Sequence, residues 1–184
     1  VEEAAPDYDF EALLAGWRTI VGAILYVQVT SYAEARAIAN PLALLEPVNA
    51  AWVEEGGRRT GAEYFRAETL QHGVGRRVGA FFARHDILLT PTMAGPPPKL
   101  GALASSTRDL DGFYRRLFEV SPFTAVFNAS GGPAASIPFG LSSAGLPLGV
   151  QIGADLGRDG LVFALSGQIE RARPWAGLRP PGFS

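Results

Sequence analysis

Acyl transfer needs a hydroxyl that can attack and a basic nitrogen that can take its proton, and few residues of this 184-residue chain fit either role. Adjacent serines occur at Ser105-Ser106 and Ser142-Ser143, histidines at His72 and His85, and the one lysine, Lys99, directly follows three prolines. Neither serine pair has the glycine-rich surroundings that aim backbone N–H groups at an oxyanion. Ser142-Ser143 falls instead where Ser and Gly serve turn geometry. No G-x-S-x-G elbow is present, so a Ser-His-Asp site built on His72 or His85 has little support. His85-Asp86 is the one adjacent pair of ligand types that includes a histidine, and nothing at helical spacing completes a metal set. The sequence therefore offers no catalytic residue, no metal ligands and no cofactor site. Asn128-Ala129-Ser130 matches a glycosylation sequon, which its helix-end position makes a coincidence.

The densest signal runs from Ser121 to Gln151. Phe123 to Asn128 is an apolar, helix-compatible run, and Gly131 and Gly132 supply the positive-φ positions that stop a helix. Ala135 to Phe139 predicts a short buried strand, Ser142 to Leu146 a turn, and Pro147 to Ile152 the returning strand of a hairpin.

With its literal strings N-x-S-G-G-P-A (128–134) and G-L-P-L-G-V-Q (145–151), this order resembles the C-terminal half of the amidase signature family. His85 to Pro98, HDILLTPTMAGPPP, is similar to the family's strand followed by Thr-Pro-Thr, and Asp159 to Trp175 to its closing helix with Arg-Pro-Trp. The resemblance covers about Phe10 to Trp175. It implies an α/β fold with helices on part of a mixed β-sheet, and hydrolysis of carboxylic amides by a Ser/cis-Ser/Lys mechanism in the complete enzyme. The Gly- and Ser-rich segment and upstream Lys of that mechanism have no counterpart here. What remains is expected to wall the substrate cleft, inactive alone, with Thr92, Met93, Thr124, Phe127 and Asn128 as the residues nearest a small amide substrate. A non-catalytic binding or assembly module is the alternative, as is part of a glutamyl-tRNA amidotransferase A subunit. For Asn128 a backbone-capping role competes with substrate contact, and for Phe127 and Met93 a core role does.

Elements that position these residues follow from periodicity. Apolar residues at helical spacing predict a long helix from about Phe10 to Ala39, with a bend near Thr30-Ser31. Asn40-Pro41 opens a second helix, Leu42 to Glu55, stopped by Gly56-Gly57. Thr60 and Glu63 have capping-box spacing for a third helix reaching about Arg84. Ile87 to Leu89 predicts a buried strand, Thr107 caps a fourth helix to Val120, Pro122 opens a fifth, and a last helix runs from about Arg158 to Arg171. No domain boundary is evident within 1–184: a helical part, about 10–84, passes into a strand-and-helix part, about 85–175. Strands that pair with strands encoded elsewhere would leave an open sheet edge, to be covered by an N-terminal amidase half or by self-association.

Composition narrows the classes. The length suits one domain burying roughly 70% of its unfolded surface. Sixteen basic against 18 acidic residues, a net charge of −2, give no electrostatic reason to expect nucleic acid. Pairs such as Arg58-Arg59, Arg76-Arg77 and Arg115-Arg116 suit solvated helix faces. Zero cysteines fit a reducing compartment, and a cytoplasmic location is expected. The most apolar run, Ile20 to Val29, is half the length of a membrane span and predicts a buried core helix, not a membrane anchor. The acidic start VEEAAPDYDF shows no signal-peptide pattern.

Overall fold

Asp9 starts the first helix by accepting the Ala12 N–H on its carboxylate at 2.9 Å. In the computed structural model, which describes residues 1–179, that helix is α1 (Phe10–Ala35). A 3-10 turn (Pro41–Leu44) and α2 (Pro47–Gly56) follow, where the sequence suggested one helix from Leu42. Pro47 divides them: its ring holds Glu46 extended (φ −60, ψ 146) and its fixed φ suits the first helical position. The Thr60–Glu63 capping box forms as expected and opens α3 (Gly61–Phe82). Then come β1 (Leu88–Pro91), α4 (Leu110–Val120), α5 (Ala125–Ser130), β2 (Ala134–Leu141), β3 (Pro147–Gly153) and α6 (Asp159–Ala172). Asp109, not Thr107, caps α4; Thr107 instead accepts the Asp109 N–H. Only Gly131 of the Gly131-Gly132 pair has a positive φ (74°), whereas Gly132 is held by close approach, since a Cβ there would meet the Ala154 carbonyl at 2.6 Å.

The three described strands pair antiparallel in the order β1-β3-β2. Thr92 N–H donates to Gly149 C=O at 3.1 Å, continuing the β1 ladder beyond Pro91. The alternation of an antiparallel ladder then turns the backbone groups of Leu89 and Pro91 away from β3, toward the open edge. On the far side, β2 also has a free edge, blunted by Pro138 and by the irregularity between Pro138 and Gly140. Leu89, Phe139, Leu146 and Leu148 are exposed at this end of the sheet.

Three apolar clusters hold the elements together. Leu13, Val78, Phe82, Leu88 and Phe127 join α1, α3, β1 and α5. Ile137, Ile152, Ala154 and Val162 fix α6 to the sheet. Trp17, Trp52, Tyr114 and Phe118 interlock between α1, α2 and α4 at ring separations of 5.1–6.3 Å, three pairs edge to face, Trp17 and Trp52 tilted and Tyr114 stacked on Phe118. Beside them Arg18 donates to Glu55 at 2.8 Å, pairs with Asp111 and lies over the Tyr114 ring. Burial pushes the Glu55 carboxyl up, but the Arg18 and Arg59 guanidiniums outweigh it and hold the group below the usual carboxylate range. Arg18→Met should therefore cost about 2 kcal/mol, less than a fully buried pair because water reaches part of the cluster. Urea unfolding of wild type and variant measures the difference.

The expectation of a buried helix at Ile20–Val29 is corrected. α1 packs on α3 at Gly16 and on α2 at Gly22, but Ile24 and Val27 are 41% and 58% exposed. The helix is also continuous through Thr30, whose hydroxyl bonds back to the Tyr26 carbonyl at 2.7 Å. By length and composition α1 is the one described helix apolar enough to cross a membrane, and it lies mainly against α2 and α3.

Candidate substrate-cleft wall

The antiparallel register places Gln151 on β3 directly between Thr90 on β1 and Ser136 on β2. With a side-chain period of two, Thr90, Thr92, Ser136, Gly149 and Gln151 share one face of the sheet. The Gln151 side chain is buried, at 4% exposure, and donates to Thr90 Oγ1 at 3.1 Å and to the Phe123 carbonyl at 3.0 Å. It thereby ties the sheet to the segment that leads into α5. Gln151→Leu would leave that carbonyl without its partner and should cost about 2 kcal/mol, the penalty for an unsatisfied buried acceptor; thermal unfolding reads the loss.

Toward solvent, Thr92 Oγ1 and Ser136 Oγ hydrogen-bond to each other at 2.6 Å, reaching across β3 above Gly149. Glycine is required there by space: a Cβ would meet the Thr92 hydroxyl at 2.8 Å and the Ser136 hydroxyl at 3.1 Å. Ser121 and Thr124, at the approach to α5, form a second hydroxyl pair at 3.1 Å. On the opposite face of the sheet, the side that carries α6, an open cleft of about 590 Å³ is lined by Leu89, Met93, Pro96, Phe139 and Leu148, reaching the strands themselves at Thr90 and Gly149. No ionisable side chain lines that cleft or enters the shelf's hydrogen bonds among the described residues. The shelf can hydrogen-bond a neutral polar group on one face of the sheet, and the cleft can take an apolar group on the other. The shelf brings no base to any of its hydroxyls.

Of the residues expected from sequence, Thr92 is in the hydroxyl pair, Met93 in the cleft and Thr124 in the second pair. Asn128 is exposed on α5, and its side chain enters none of the hydrogen bonds among the described residues. Phe127 is in the core, 7% exposed, with its ring packed where a side chain on Gly153 would have to be. Ser136 and Gln151 were missed as site residues. Gln151 carried a signal, a lone polar residue between Val150 and Ile152 on a strand with a buried centre, and the same alternation extends to Ser136 opposite it. His85 is not poised as a base: Nδ1 is bonded to the Phe81 carbonyl, Nε2 to Glu2, and the ring stacks on Phe81 at 4.2 Å.

The family model described as Amidase matches residues 18–163. AmiC of Mycobacterium tuberculosis, a protein named as an amidase, is 40% identical over 109 residues, 59% of this chain and 23% of AmiC. The 6-aminohexanoate-cyclic-dimer hydrolase of Paenarthrobacter ureafaciens is 37% identical over 118 residues, 61% of this chain and 24% of the hydrolase. A solved structure of 6-aminohexanoate cyclic dimer hydrolase superimposes with a TM-score of 0.82 at 29% identity, over 98% of this chain and 39% of the other. A bacterial aryl acylamidase of the amidase signature family shares the fold, with a TM-score of 0.69 at 22% identity over 93% of this chain and 36% of the other. The chain thus spans well under half the length of each of these relatives.

Proposed function

The chain belongs to the amidase family, and on that premise we propose that it is the C-terminal part of an amide-hydrolysing unit, forming one wall of the substrate cleft. One observation supports this reading above the others. Nearly the whole chain, 98%, superimposes on 39% of a cyclic-dimer hydrolase, and the surface it presents carries hydroxyls without a base. In the acyl transfer that the family resemblance implies, a serine oxygen bonds to the amide carbon, the C–N bond breaks, and the amine leaves with a proton relayed from the base. Water then cleaves the acyl ester. This chain's share is to exclude water on one side and hold the amide in register. Serine and lysine come from a partner segment, an N-terminal amidase half.

Co-production with an N-terminal segment that carries the Gly/Ser-rich run and the lysine tests the reading. Hydrolysis of simple aliphatic or aromatic amides by the complex is the expected result. A stable complex without turnover would instead make this chain an assembly module.

A further inference from the structure

The segment that precedes α1 is fixed differently in its two halves. Tyr8 packs against the core around Leu13 and Phe82, Asp9 caps α1, and Asp7 meets Arg77 at 3.2 Å. A carboxylate and a guanidinium both keep their charge across the neutral range, so nothing in that half responds to pH there. Residues 1–5 are exposed, and among the described residues one hydrogen bond holds them, between Glu2 and His85 Nε2. Val1, Glu2 and Ala4 form one side of an open groove of about 640 Å³, whose other side is Phe81, Leu88 and Leu165. We infer that His85 is a proton-operated latch: with both ring nitrogens protonated it clasps Glu2 and holds residues 1–5 across the start of β1, and loss of one proton lets them swing out and open the groove.

The hydrogen-bond pattern of the ring carries this inference. Nδ1 faces the Phe81 carbonyl at 3.0 Å and Nε2 faces the Glu2 carboxylate, and both partners are acceptors. A neutral imidazole has one N–H and one lone pair, so only the imidazolium satisfies both contacts. The ring also stacks on Phe81 at 4.2 Å, a placement that favours a cation. When one proton leaves, the bond to Phe81 keeps the other, because it closes within one helical turn. Glu2 then meets a lone pair, and holding its exposed segment in place costs conformational entropy with no bond in return. The charged groups around the ring are Glu2 and the Val1 amino group from the segment, and Arg84 and Asp86 from the turn after α3; α6 contributes only the apolar Leu165. The Phe81 carbonyl, and after it Glu2, raise the proton affinity of the ring above the ordinary histidine value, with Arg84 opposing. The clasp is therefore whole below about pH 6.5 and is lost as pH rises through the higher folded value.

Carbon-13 NMR of the whole chain between pH 5.5 and 8.5 tests the latch. The Cα order parameters of Glu3, Ala4 and Ala5 are expected to fall from near the rigid value of about 0.85 to below about 0.6 as pH rises. Their midpoint should coincide with that of the His85 ring carbons, above the ordinary histidine value, while Tyr8 and Asp9 stay rigid throughout. Glu2→Ala, a change on the exposed segment that leaves the core untouched, should free residues 3–5 at both ends of the range and lower the His85 midpoint. His85→Gln should likewise leave the segment mobile at every pH. Equal order at pH 5.5 and 8.5, or an opening unchanged in Glu2→Ala, overturns the latch. So does a pH response that survives in His85→Gln, which would assign the effect to the Val1 amino group instead. The latch does not rest on the amidase reading, and no outcome of this titration bears on hydrolysis by the co-produced complex.

Discussion

Gly56→Ala is expected to cost about 3 kcal/mol or more and to lower the melting temperature by roughly 6–12 °C for a chain of this size. The reason is a contact between main chains. A Cβ at Gly56 would fall inside the carbonyl of Gly22, so α2 would have to lift from α1, and no rotamer change relieves it. Gly22 provides the control. Its own Cβ would meet the indole of Trp52 at 3.2 Å, a side chain that can shift by a few tenths of an ångström. Gly22→Ala should therefore be clearly milder than Gly56→Ala in the same denaturation series. Equal losses would mean that helix propensity, not the crossing, controls both sites.

Phe127→Ala is the second large effect, about 3–4 kcal/mol, the usual cost of emptying a buried aromatic site. The ring is shared by α5, β3 and the cluster around Leu13 and Phe82, with Gly153 making room for it. A residue whose main task was substrate contact would behave in the opposite way, weakening amide binding with little change in stability. Chemical denaturation together with an NMR titration of the chain with a simple amide distinguishes the two, and loss of stability is the result the packing requires.

How much could be read beforehand varied with the kind of signal. Local chemistry was legible where a residue acts on its own neighbours: the Thr60–Glu63 capping box, the hairpin around Ser142–Leu146, and the αL stop at Gly131 all form as the sequence suggests. Long-range placement was not. α1 looked like a core helix because apolarity was equated with burial, yet the side chains of Ile24 and Val27 face outward and the close contact is made by glycines. Thr107 lost the α4 cap to Asp109, two positions on, because both side chains offer an oxygen and only tertiary packing fixes where the helix begins. At the cleft wall, the Thr-Pro-Thr string exposed one half of the hydroxyl pair. Ser136, 44 residues further on, joins it through strand register alone.

The central claim is that this polypeptide shapes a cleft and supplies neither attacking oxygen nor proton acceptor. Incubating the purified chain with simple aliphatic and aromatic amides, with and without a serine-directed reagent, measures that directly. The account predicts no turnover and no covalent adduct in the intact mass. Turnover by the chain alone that the reagent abolishes, with one reagent equivalent bound, would contradict it.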